Sequence, residues 1–201
     1  MNGHQRIADD GLRRAIAALQ AVRDDAALAA AFAAACDLAV AALRGGGRLY
    51  TLGNGGSAAD ALHVAAELVG RIESARAALP AEALVADPVT LSALANDFGY
   101  EQLFARQIEA KVTPRDALLA FSTSGRSPNV VAALRAGHAR GACGILFTGP
   151  SATPAGRHAE VVVAVGAVGP KTIQEVHRVL AHALCEAIEQ ALGDGAATPN
   201  A

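Results

Sequence analysis

His63 and Glu67 stand four residues apart in the run Asp60-Ala61-Leu62-His63-Val64-Ala65-Ala66-Glu67. On a helix they share one face, about 6 Å apart along the axis. An imidazole and a carboxylate so placed can share a divalent metal, or the carboxylate can serve as a base. An exposed i,i+4 pair is the plain alternative. Two glycine- and hydroxyl-rich turns offer a different chemistry. Gly53-Asn54-Gly55-Gly56-Ser57 lets the backbone approach a ligand and sets N–H groups and a hydroxyl at a helix start, where anions bind. Ser57 and Asp60 also have capping-box spacing. The turn is neither Gly-x-Gly-x-x-Gly nor a Walker loop, so nucleotide binding is not indicated. In Ser122-Thr123-Ser124-Gly125-Arg126-Ser127-Pro128-Asn129, Ser127 before Pro128 reads as a helix N-cap. The other hydroxyls exceed what capping needs, and phosphate is the simplest ligand for them. A last constellation holds Gln174, Glu175, His177 and His182. Gln174 and His182 lie about 12 Å apart along a regular helix. Both reach one metal only if Gln174 sits at a frayed start or the helix approaches obliquely; otherwise different subunits supply them. His177 reads as a surface or packing histidine.

These residues need a scaffold, and the rest of the chain describes one. Its 201 residues are 52% hydrophobic and carry a net charge of −2, which speaks against disorder and against a basic nucleic-acid-binding face. About a quarter are alanine, which favours helix. The longest uncharged apolar run, Ala26 to Cys36, is short of the ~20 residues that span a bilayer, so no membrane role is expected. No signal-peptide pattern opens the chain. Cys36, Cys143 and Cys185 are far apart and read as small buried hydrophobes in a reducing, cytoplasmic setting.

Two helices are predicted first, about Gln5 to Arg23 and about Ala26 to Leu43, the second ending at Gly45-Gly46-Gly47. Short apolar runs follow at Arg48 to Leu52, Ala83 to Val85, Ala117 to Phe121, Gly144 to Phe147 and Val161 to Val165. Helical stretches alternate with them, at about Ala58 to Val69, Val89 to Ala95, Glu101 to Ala110, Pro128 to Arg140 and Ile173 to Leu192. That alternation predicts an α/β fold with a parallel sheet covered on both faces. One domain spans residues 1–192, with N-terminal helices at about 5–44 and a disordered tail at 193–201. Ligands of such sheets sit beyond the carboxyl ends of the strands, where both turns fall. The apolar N-terminal helices are expected to pack between subunits of a homotetramer.

Taken in order, Gly53 to Asp60, His63 with Glu67, Asn96-Asp97-Phe98-Gly99-Tyr100, Ser122 to Gly125 and Ile173 to His177 resemble the phosphoheptose isomerases of the sugar isomerase (SIS) domain family, from the N-terminal helices to about Leu192. The resemblance implies a flavodoxin-like, three-layer domain with a five-stranded parallel sheet, in homotetramers with active sites between subunits. It implies conversion of sedoheptulose 7-phosphate to D-glycero-D-manno-heptose 7-phosphate, the start of bacterial heptose synthesis, through an enediolate. Ser57, Ser122, Thr123, Ser124 and Ser127 would hold the phosphate, and Asn54, Gly55, Gly56, Asn96 and Asp97 would line the sugar site. One zinc per subunit would be bound by His63, Glu67, Gln174 and His182. Glu67 and His182 would be the acid–base pair, with Glu67 and Gln174 also meeting substrate.

Two departures from the family pattern stand out. Leu62, a position that can face the core, replaces a Gln or Met, and Gly169-Pro170-Lys171-Thr172 replaces a segment that often carries an Asp. The competing readings are a non-catalytic SIS protein that binds the bacterial replication initiator and an isomerase of another ketose phosphate. Glu67 speaks against the first, which typically lacks that carboxylate. A sugar-phosphate-sensing regulator would need a DNA-binding domain of ~70 residues, more than the two leading helices provide.

Overall fold

A computed structural model of the chain describes residues 2–166 and 169–193. Helices α1 (Gly3–Arg23) and α2 (Ala26–Arg44) lead into strand β1 (Leu49–Gly53) and helix α3 (Gly56–Val69). Then come β2 (Ala81–Ala83), α4 (Pro88–Phe98), a 3-10 turn at Tyr100–Gln102 and α5 (Ala105–Lys111). β3 (Ala117–Ser122), α6 (Pro128–Ala139), β4 (Cys143–Thr148), a second 3-10 turn at Ala155–His158, β5 (Val161–Ala164) and α7 (Pro170–Gly193) complete it. The five strands are parallel in the order β2-β1-β3-β4-β5. The predicted three-layer α/β arrangement is therefore present. β1, β3 and nearly all of β4 are buried on both faces, so they read as unbroken apolar runs.

Alternate residues feed two cores. Leu49, Leu119, Phe121, Ile145 and Phe147 face α2, α3 and α7, while Leu52, Leu118, Ala120 and Leu146 face α5 and α6. α2 starts where the Asp25 carboxylate accepts the N–H groups of Ala27 and Leu28. It runs through Asp37 to Arg44 and so exceeds the uncharged run; by length and composition it could cross a membrane. Here its buried residues, among them Leu28, Ala35, Ala39 and Leu43, belong to the core shared with β5 and α7.

The differences from the sequence reading are local. β2 pairs over Ala81–Ala83 rather than from Ala83 to Val85; Leu84 is buried just past the strand's last paired residue. The helix predicted at Glu101 to Ala110 is broken, because Leu103 and Phe104 both turn into the second core ahead of α5. Of the three cysteines only Cys185 is buried, Cys36 and Cys143 being half-buried. Gly193, expected to begin the tail, ends α7, and the expectation for 194–201 lies outside the described residues.

Candidate active site

The strand order reverses direction between β1 and β3, and the crevice at such a switch point is where open parallel sheets bind ligands. Gly53 pairs with Phe121 across it, so both ligand-type turns leave the sheet side by side. They are tied together by a reciprocal amide pair. Asn54 Nδ2 donates to Asn129 Oδ1 at 2.8 Å, and Asn129 Nδ2 donates to Asn54 Oδ1 at 2.8 Å. Tyr100 Oη adds a donor to Asn54 Oδ1 at 3.0 Å, bringing the 96–100 segment to the first turn. α3 begins at Gly55, which takes φ +57 and offers no side chain for capping. The capping box expected of Ser57 and Asp60 is thus absent. Ser57 is buried inside the first turn, and Asp60 turns to Arg178 instead.

The second turn is held by bonds to its backbone, from within and from the segment after β4. Ser122 Oγ accepts the Gly125 N–H at 3.2 Å, and the Thr123 carbonyl accepts the Gly149 N–H at 3.1 Å. Gly125 sits at φ +59 against Thr153, where a Cβ would come within 2.5 Å of the threonine side chain. Ser127 caps α6 through its carbonyl alone; its hydroxyl makes no capping bond. Ser124 is exposed, and among the described residues its Oγ accepts only the Arg126 N–H, at 3.2 Å. The hydroxyls of Ser124 and Ser127 are therefore not committed to the fold in the way a cap would be.

α3 and α7 lie side by side and meet rung by rung in the same chain direction. Gly56 faces Gln174: a Cβ on Gly56 would lie 2.7 Å from the Gln174 amide. Asp60 Oδ1 pairs with Arg178 Nη2 at 2.8 Å. At the next rung the Nε2 atoms of His63 and His182 face each other at 2.7 Å, with ring centroids 4.8 Å apart. Glu67 Oε1 is 3.5 Å from His63 Nε2. Two Nε2 atoms this close cannot both carry hydrogen. Either one donates to the other, or both lone pairs meet a common electrophile.

Burial, helped by the Arg178 charge, lowers the His63 pKa, while Glu67 opposes the shift. Burial raises the Asp60 pKa despite Arg178, and among the described residues Asp60 Oδ2 has no hydrogen-bond partner. Next to this seam, His177 is fully buried against Phe121 and Phe147, and burial pushes its pKa down to about 4. It is a packing residue, with neither ring nitrogen hydrogen-bonded among the described residues.

The structure thus brings His63, Glu67 and His182 together, and Ser57, Asn54, Gly55 and Gly56 close to the Ser122–Ser127 turn. It does not bring Gln174 to the imidazole pair. Gln174 lies in the regular second turn of α7 against Gly56, seven residues and about 10 Å along α3 from His63. Among the described residues no three His, Cys, Asp or Glu side chains form a closed metal cage. Asn96 and Asp97 are exposed at the end of α4 and bond each other at 2.8 Å. Leu62 is 42% exposed and faces the groove beside Asn54 rather than the core. Sequence reasoning missed Asn129 and Tyr100; a buried asparagine just inside a Ser-Pro helix start was the available signal for the first. It also missed the Asp60–Arg178 pair, for which no local signal exists.

Comparison with known proteins gives one consistent result. Residues 12–149 match the SIS domain family model. Over 191 residues the chain is 44% identical to a phosphoheptose isomerase of a Bradyrhizobium species, covering 93% of this chain and 96% of that one. A phosphoheptose isomerase structure from Francisella tularensis superposes with TM-score 0.86 at 30% identity, covering 94% of this chain and all of the other. One from Neisseria gonorrhoeae superposes with TM-score 0.84 at 34% identity and the same coverage.

Proposed function

The chain belongs to the SIS domain family, among its phosphoheptose isomerases, and from that premise we propose that it converts sedoheptulose 7-phosphate to D-glycero-D-manno-heptose 7-phosphate at the His63–Glu67–His182 centre. The observation that carries this reading is the meeting of His63 and Glu67, on the helix that leaves the glycine turn, with His182 on α7. Moving a carbonyl from C2 to C1 requires removal of a proton from C1 and delivery of one to C2, with charge on the enediolate oxygens between. Glu67 is the base for the carbon-bound proton, and His182 moves the proton between the oxygens. Such positioned proton transfer is worth ~10²–10⁴-fold. Ser122, Thr123, Ser124 and Ser127, with Ser57 at the start of α3, hold the phosphate. Asn54, Gly55, Gly56 and Gln174 meet the sugar, with Asn96 and Asp97 at the outer wall.

By type the donors suit zinc: two imidazole nitrogens 2.7 Å apart, and one carboxylate oxygen 3.5 Å from that of His63. His63, Glu67 and His182 would hold one ion per subunit, with Gln174 left to the substrate. Bound there, zinc supplies an electrophile that polarises the carbonyl and stabilises the enediolate. We extend the proposal to a cytoplasmic homotetramer. α1 exposes Ile7, Leu12 and Ile16, an apolar stripe suited to a subunit interface, and all three cysteines are free. Light scattering checks the assembly; a stable species of one 20.2 kDa chain at micromolar concentration overturns it.

The activity is tested by incubating the purified protein, with zinc supplied, with sedoheptulose 7-phosphate and following the sugar by NMR. Aldose resonances should grow in. Their absence overturns the substrate assignment.

A further inference from the structure

Beyond Val69 the chain turns back, and the end of α3 is closed in an unusual way. α3 has no basic residue in its last turn, and its C-cap Gly70 (φ −83) is not in the left-handed conformation that usually closes a helix. From outside the helix, the Leu68 carbonyl is met by the Leu79 N–H, and those of Leu68 and Glu67 by Arg76. Its Nη2 donates to the Glu67 carbonyl at 2.8 Å, and its Nη1 donates to the carbonyls of Leu68 at 2.8 Å, Ala77 at 3.0 Å and Gly70 at 3.3 Å. Its Nε donates to Glu189 Oε2, on α7, at 3.0 Å. Glu189 also accepts the N–H groups of Ile72 and Glu73 at 3.0 Å and of Ser74 at 2.6 Å. The two side chains are only 2% and 5% exposed.

A helix end can be closed, and two helices joined, by apolar contacts alone; a buried ion pair often adds little stability over well-packed hydrophobes. What it adds is direction. The planar guanidinium fork fixes several acceptors at set angles, which a point charge cannot do. One of those acceptors is the backbone carbonyl of Glu67 itself, and the carboxylate that anchors the fork stands two turns along α7 from His182. We propose that Arg76 and Glu189 are a positioning pair for Glu67, fixing the last turn of α3 against α7 and so setting where the Glu67 carboxylate stands relative to the two imidazoles. The proposal rests on the reading of Glu67 as the base. Neither Arg76 nor Glu189 touches substrate; both act through Glu67.

Arg76→Lys is the test, since it keeps the charge and loses the fork. kcat should fall ~10- to 100-fold with KM within about twofold, because the hydroxyl turn follows β3 and Ser57 stands at the opposite end of α3 from Arg76. Zinc affinity of the metal-free protein, measured by competition with a chromogenic chelator, should fall by about tenfold. Added to Glu67→Gln, the same change should cost no further turnover, since both act through one group. Glu189→Gln, which still accepts backbone N–H groups, serves as the second variant should Arg76→Lys not fold, and the same losses are expected of it. A folded Arg76→Lys or Glu189→Gln with unchanged kcat and zinc affinity overturns the proposal. So does a further loss in the double variant equal to that in the single one. Full turnover in Glu67→Gln alone marks failure of the underlying reading and takes the proposal with it, whereas an inactive Glu67→Gln beside an unaffected Arg76→Lys refutes the positioning pair only.

Discussion

The middle and the far end of the α3–α7 seam use the same kinds of side chain to opposite effect. At the far end, Glu189 takes four donors, and Arg76 reaches four carbonyls as well as Glu189, the two side chains themselves being buried. In the middle, His63 and Glu67 are about a third and a quarter exposed, and one short contact between imidazoles is their closest polar interaction. Polar groups that saturate one another rigidify a fold; polar groups left partly unsatisfied are available to a ligand. The seam has one end that holds and one stretch that is held.

The largest effect expected from this contrast is on turnover. Glu67→Gln keeps size and hydrogen-bonding capacity but removes the base, so kcat should fall by ~10² or more. Its thermal unfolding midpoint should barely move, since the Glu67 side chain is partly exposed and the fold makes little use of it. Steady-state kinetics and a melting curve on one preparation give both numbers. Undiminished turnover would remove Glu67 from the mechanism, and a large stability loss would dissolve the distinction between the two stretches.

Acid should strip the buried polar groups of their contributions in two separate windows. Burial holds the folded His177 imidazole at about 4, against 6.5 for the free side chain. The unfolded chain therefore takes up a proton that the folded one refuses. Stability is unaffected above pH 6.5 and falls as pH drops from 6.5 toward 4, by roughly 3 kcal/mol over the full span. For Glu189, burial acts to raise the pKa, but the N–H groups of Ser74, Ile72 and Glu73, with Arg76, prevail and hold it at about 2, against 4.5. Its contribution is complete above pH 4.5 and is lost as pH falls from 4.5 toward 2. Urea unfolding between pH 7 and 4.5 should show the first loss, and His177→Phe should flatten it. An unchanged slope in that variant would assign the acid sensitivity elsewhere.

How much of this was legible in the sequence follows the range of the interaction. α2 was readable to within a residue because Asp25 and the triple glycine act locally, and the parallel sheet followed from apolar runs buried on both faces. Ser57 and Asp60 satisfied a local capping rule, but α3 is capped at Gly55, and Asp60 pairs instead with Arg178, 118 positions away, which no window of sequence contains. The facing of His63 and His182, 119 residues apart, was likewise beyond spacing arguments and came from family resemblance. Spacing set Gln174 and His182 about 12 Å apart along a regular helix, and α7 runs unbroken through both. The Arg76–Glu189 pair gave no sign of itself, because an arginine and a glutamate in polar stretches look like surface until tertiary structure buries them.

The smallest expected effect concerns a hydroxyl that the fold leaves nearly unused. Ser124 is exposed, and its oxygen accepts one long N–H bond from Arg126 while its hydrogen meets no acceptor among the described residues. In Ser124→Ala, stability should change by about 0.5 kcal/mol or less, as at other exposed sites. Affinity for the sugar phosphate should fall by roughly 1.5–3 kcal/mol, the range for a hydrogen bond to a charged oxygen. The rate at saturating substrate should stay close to that of the parent, because Glu67 stands on a helix that follows a different strand. Glu67→Gln should show the reverse pattern, with binding kept and turnover lost. Calorimetric titration of both variants with the ketose phosphate separates the two. If Ser124→Ala binds as tightly as the parent, the phosphate is not held at this turn; if it also loses stability, Ser124 belongs with the groups that hold the fold and not with those the fold leaves free.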